Sequence, residues 1–188
     1  LLSGVGQLRA QQMVVPNKLW SYYTYEGQIG SGPDSHPIGS NVAYTFGEAE
    51  DVDGETYLRL HTCDYFSFEA IDPAGTNFLM REDSLGRVFL KEDGLPEVMI
   101  YDFSLSVDDI FLDPFDGCEY LVIAKDTISL LNGALRERIL FEDQDAERSW
   151  IKGIGSTRNL IPNCYEIETS IVCHQEGEEL TYAGPLHY

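Results

Sequence analysis

Turn residues interrupt this chain before any apolar run grows long. Short stretches rich in Val, Ile, Leu, Tyr and Phe alternate with Asp-Gly, Asn-Gly, Glu-Gly and Pro-containing breaks. That rhythm is the signature of strands joined by tight turns, and helical periodicity is scarce. The connections are too short for the crossovers that parallel strands need, so consecutive strands are expected to pair antiparallel. The expected fold is all-β: an antiparallel meander forming a sandwich or partly open barrel, with little helix. Aromatics make up 12% of the chain, which suits this fold because they pack well on a pleated surface.

Individual turns are readable. Asp53-Gly54 is a favoured hairpin dipeptide because both residues tolerate positive φ. In "REDSLGRVFL", Asp83 to Gly86 fit a type I turn with a bulge, between strands ending at Glu82 and starting at Arg87. Asp93-Gly94, Asn132-Gly133 and Glu176-Gly177 mark further hairpins. The first strand reads as residues 19–27 and a Gly/Pro/Ser-rich loop as 31–41. Residues 65–72 read as another strand. Residues 106–117 are irregular and acidic. Residues 134–150 have helical propensity, but their hairpin neighbours favour a strand. The loose repeats "DGETY", "DGCEY" and "EGEELTY" are one recurring hairpin solution without a fixed period.

At 188 residues the chain fits a single β domain over 13–188. Residues 1–12, "LLSGVGQLRAQQ", read as a signal-peptide remnant with cleavage after Ala10, or as an extended N-terminal segment. No stretch reaches the ~20 apolar residues of a membrane span. Thirty-two acids against 12 Lys and Arg give a formal charge of -20. That argues against nucleic acid, whose affinity comes mainly from neutralised phosphates. It favours a soluble monomer or weak oligomer. The four cysteines are compatible with export. Cys164 and Cys173 are the candidate disulfide, provided that "CYEIETSIVC" is not one continuous strand.

Four blocks, "LMREDSLGRVFL", "EVMIYDFSLSVDDIF", "WIKGIGSTRNLIP" and "IVCHQEGEELTY", resemble a family of uncharacterised secreted proteins of Bacteroidetes-type bacteria. In that family an Arg-Glu-Asp hairpin precedes a Tyr-Asp-Phe strand, a Trp-Ile-x-Gly-Ile-Gly-Ser block and a Cys-bearing hairpin. The likeness spans roughly residues 20 to 182. This chain departs from it at Asp108, where the pattern has Gly, and at Arg158-Asn159. The resemblance implies export to the periplasm, the cell surface or the medium, and a β-architecture. It carries no activity.

Three kinds of chemistry can be placed on residues. Glu82, with Asp102 and Asp109, is the candidate carboxylate set of a glycan hydrolase, which needs two acids about 5–10 Å apart. Asp51, Asp53 and Glu55 are the candidate calcium ligands; their spacing fails the EF-hand pattern, so calcium would be a structural ion only. In "WSYYTY", side chains alternate, so one aromatic face belongs to the core and the other is free to stack on a glycan. Trp20, Tyr22 and Tyr23 are the candidates. Turn chemistry explains most of the acids without catalysis. The leading expectation is thus an exported, non-enzymatic binding or structural module with an extracellular ligand or protein partner. A carboxylate hydrolase and a calcium-stabilised module are the alternatives.

Overall fold

The computed structural model describes residues 12–29, 36–63, 76–115, 117–142, 148–161 and 169–184. Strands β1 (Lys18–Ile29), β2 (His36–Val52), β3 (Glu55–Cys63), β4 (Phe78–Glu82), β5 (Arg87–Glu92) and β6 (Val98–Asp102) come first. They are followed by β7 (Ile110–Leu112), β8 (Glu119–Ser129), β9 (Leu135–Phe141) and β10 (Ser149–Ile151). The last three are β11 (Gly155–Ser156), β12 (Thr169–Glu176) and β13 (Glu179–Ala183). No helix occurs among the described residues. The strands form two antiparallel sheets, ordered β13-β12-β1-β2-β3-β4-β5-β6 and β11-β10-β9-β8-β7, and one is curled into a half-barrel.

The turns follow their chemistry. Asp53 and Gly54 both take positive φ, 57° and 88°, the primed geometry whose twist matches the β2–β3 hairpin. Between β4 and β5, Gly86 donates to Asp83 O at 3.1 Å and sits at φ 80°, closing a type I turn with a bulge. Asp83 Oδ1 accepts from Leu85 N and Arg87 N, so the side chain builds the turn.

Most strands pair with their sequence neighbours, but β1 lies between β2 and β12. That long-range pairing returns the C-terminal hairpin to the N-terminal strand. Residues 36–41, expected as loop, belong to β2. Among the described residues this part of β2 pairs with β1 alone, Pro37 opposite Gln28, and pairing with β3 starts at Ala43, which suits a proline. The acidic stretch 106–117 contains β7. Residues 65–72 lie outside the described residues, as does most of the segment 1–12.

The two sheets close over an aromatic core. Trp150, fully buried, has the rings of Phe141, Tyr101 and Phe111 at centroid distances of 4.6, 4.8 and 4.9 Å, all edge-on. Edge-to-face rings gain beyond simple burial. Each large side chain removed from water contributes roughly 1.5–3 kcal/mol.

Candidate binding site

Strand register separates the three carboxylates proposed for hydrolysis. Glu82 pairs with Val88, and Val88 with Tyr101; Val88 and Tyr101 are fully buried, so this is the inner face. Asp102 is paired with Arg87, one step along both strands, and therefore stands on the outer face. Its Oδ1 accepts from Ser104 N at 2.8 Å, a local turn contact. Asp109 is exposed and accepts from Ser106 N at 2.7 Å. The expected convergence of Glu82, Asp102 and Asp109 is thus corrected: each serves a different segment.

Glu82 serves the N-terminal segment. Its Oε2 accepts from Met13 N at 2.5 Å and Val14 N at 3.1 Å. Burial pushes its carboxyl above the usual range, with the two backbone bonds opposing. Beside it, Lys18 is almost fully buried and donates to Gln12 O at 2.5 Å and Gly153 O at 2.6 Å. It also pairs with Glu176 at 3.1 Å, and Arg136 approaches the same Glu176 oxygen at 3.8 Å. Burial lowers the Lys18 ammonium below its usual value, with Glu176 working the other way.

The glycan-stacking expectation fails for Trp20 and Tyr22 because both are fully buried. Trp20 Nε1 donates to Ile154 O at 2.6 Å and Tyr22 OH to Ser156 O at 3.2 Å. Tyr101 OH accepts from Ser156 N and donates to Leu160 O. The "KGIGS" stretch is therefore an inter-sheet tie whose backbone is held by Lys18, Trp20, Tyr22 and Tyr101. Gly155 lies at φ 99°, and a Cβ there would come within 2.7 Å of Met13 Cε. Tyr23 faces the opposite way and is half-buried; its ring covers Gly39, with Cζ 2.4 Å from where a Cβ would stand.

The calcium candidates do not converge. Asp51 accepts from Thr56 Oγ1 at 2.9 Å, Asp53 is 3.7 Å from Lys91, and Glu55 is 4.0 Å from Arg81. Among the described residues no three His, Cys, Asp or Glu side chains are grouped to hold a metal ion. The Cys164–Cys173 pairing is also corrected. Cys173 is a free thiol in the middle of β12, while Cys118 is disulfide-bonded. Cys164 lies outside the described residues.

A different feature emerges at the end of the sandwich near β6. An open apolar depression of about 240 Å³ lies where Phe78, Leu90 and Val98 of β4, β5 and β6 meet two turns. One turn, between β5 and β6, contributes Leu95 and Pro96; the other, after β7, contributes Phe115. Leu95 and Phe115 are each 52% exposed, an apolar rim rather than core. Glu92 is the one charged side chain in the lining.

Both turns are held in place. Glu97, just before β6, takes two hydrogen bonds from Arg81, Nε to Oε2 at 2.7 Å and Nη2 to Oε1 at 2.5 Å. Tyr57 OH donates to Glu97 Oε2 as well. The Arg81 guanidinium lies 4.2 Å from the Phe89 ring centroid, a stacked and bidentate arrangement that fixes the fork. Burial works to raise the Glu97 carboxyl, but Arg81 and Tyr57 outweigh it and hold it low. The second turn is organised by Asp113, 1% exposed, whose Oδ1 accepts from Phe115 N at 2.8 Å. Gly117 N returns to Asp113 O at 3.0 Å, and the Cys118 disulfide anchors the turn's end. A preformed apolar cup needs little ordering on binding.

No motif announces this site. Its walls come from the β4–β6 meander and from Phe115. The exposure of Leu95 and Phe115 does not single it out, because other large apolar side chains such as Leu85, Leu131 and Leu135 are more exposed. No protein-family model, curated protein or solved structure matches the chain.

Proposed function

We propose that the chain is a non-enzymatic binding module, working outside the cell or at its surface, that engages a protein partner through the depression beside Leu95 and Phe115. The observation that carries this reading is the cup itself: apolar, open, rimmed by exposed side chains and braced on both sides by partly buried polar contacts. Its volume of about 240 Å³ is below the roughly 300–1,000 Å³ of small-molecule sites. That size suits one anchor side chain of a protein partner, the feature that dominates many interfaces. The extracellular part of the reading rests on the Cys118 disulfide and the family resemblance.

The experiment is a titration of the isotope-labelled chain with N-acetyl-leucinamide and N-acetyl-phenylalaninamide, followed by amide chemical shifts. Saturable shifts at Leu90, Leu95 and Val98 are expected. Shifts confined to another face, or none that saturate, overturn the reading.

A further inference from the structure

We infer, resting on that reading, that the occupant is a segment with one large apolar side chain flanked by Lys or Arg. The argument is charge complementarity at a site of fixed shape. The cations of β3, β4 and β5 are each paired with an acid: Arg87 with Asp83, and Lys91, which lies between the lining residues Leu90 and Glu92, 3.7 Å from Asp53. Arg81 is paired bidentately with Glu97, and Arg59 with Glu50 through Nε at 2.5 Å and Nη2 at 2.8 Å. Arg59 Nη1 also lies 3.9 Å from Asp93. Those contacts neutralise these cations and leave Glu92, in the lining, as the acid that faces an incoming ligand.

Behind this local excess stands the formal charge of -20 of the whole chain. A field of one sign raises the local concentration of cationic partners and speeds their approach. It also repels a second copy of this chain, which argues against self-docking at the cup.

Backbone pairing to β6 contributes little to the recognition. The β5–β6 register shifts between Val88 and Phe89, which leaves Ile100 without a partner in the ladder. A bulged, short edge resists strand addition. The anchor side chain and its flanking charges therefore supply the specificity, and binding is sensitive to salt.

The test uses the synthetic peptide acetyl-Lys-Ser-Lys-Phe-Lys-Ser-Lys-amide and two relatives, one with Ala for Phe and one with Glu for every Lys. Affinities are read by calorimetry at low salt and in about 0.5 M salt, where the screening length falls to a few ångströms. The Lys-Phe peptide is expected to bind roughly tenfold or more tightly than either relative, a factor expected for losing an anchor or reversing the charge. Salt is expected to erase most of the charge preference. Glu92→Gln should weaken the Lys-Phe peptide about two- to threefold, and Phe115→Ala, at an exposed rim position, about tenfold.

Equal binding of the Glu-bearing peptide at the cup leaves the binding reading standing and overturns the cationic partner. Failure of every peptide to bind there overturns both. Self-association through the cup, seen by sedimentation and lost in Phe115→Ala, assigns the occupant to a second copy and also overturns the proposal.

Discussion

Glu82 Oε2 accepts the amides of Met13 and Val14, at 2.5 and 3.1 Å, and so ties the N-terminal segment to the end of β4. Its neighbour Arg81 points to the opposite face and holds Glu97. Two adjacent charges thus serve two unrelated jobs, because side chains along a strand alternate.

The Glu82 tie has a measurable cost of removal. Glu82→Ala leaves two amides without their acceptor, and a stability loss of about 1–3 kcal/mol is expected. Hydrogen exchange at Met13 and Val14 should accelerate. Glu82→Gln keeps an acceptor oxygen and should cost less. Slow exchange at both amides in Glu82→Ala would show that the segment is held by packing of Met13 instead.

His174 predicts an acid sensitivity. It is fully buried, with Nδ1 2.7 Å from Thr181 Oγ1 and its ring 5.2 Å from Trp20. Burial, with Lys18 and Arg136 nearby, pushes it well below the ordinary 6.5. The folded state therefore keeps His174 neutral while the unfolded chain takes up a proton. Its contribution is fully present above 6.5 and is lost as pH falls below that value, by up to about 1.4 kcal/mol per pH unit. Glu82 works in the opposite sense. Its raised carboxyl makes the fold more stable as pH falls and less so as pH rises through the raised value. Denaturant melts between pH 7 and 5 should show a shallower decline for His174→Gln than for the parent. Identical slopes would contradict this assignment.

Gly155 and Met13 make a second pair. Gly155→Ala should cost about 1–2 kcal/mol from the left-handed φ alone. Met13 can move its flexible end away from the new Cβ, so Met13→Ala should not rescue Gly155→Ala. A full rescue would show that the contact, not the backbone, set the cost. Trp150→Ala, at the centre of the aromatic core, is expected to lose about 3–5 kcal/mol.

The thiols are also predictable. Cys173 is half-buried, and burial raises its thiol above the ordinary value. At neutral pH little of it is thiolate, the reactive form. Iodoacetamide should label it slowly in the folded protein and quickly in denaturant, whereas Cys118 should label only after reduction. Rapid native labelling of Cys173 would contradict its placement on β12.

Local chemistry was the readable part of this fold. Asp53-Gly54 and Asp83 to Gly86 form the expected turns because local chemistry decides them: positive φ at Asp53, Gly54 and Gly86, and the Asp83 carboxylate accepting from Leu85 and Arg87 amides. Residues 36–41 misled because Pro37 and Gly39 look like loop; among the described residues that part of β2 is paired only with β1, which accommodates the proline. Strand β7 was hidden among acids, being only Ile110–Leu112. Alternation divided the tyrosines of β1 into two faces correctly, but only the position of the second sheet shows that Trp20 and Tyr22 face inward. Glu82 could be picked out as unusual, yet its partners lie at Met13 and Val14, a relationship no local pattern encodes. The depression was illegible for the same reason: Leu95 and Phe115 meet only after two separate hairpins fold.

A crystal structure of the chain with the Lys-Phe peptide bound tests the central claim most directly. The account predicts the phenyl ring seated between Leu95 and Phe115 against Val98, with a flanking lysine toward Glu92. A phenyl ring seated elsewhere, such as on the outer face beside Tyr23, would contradict it.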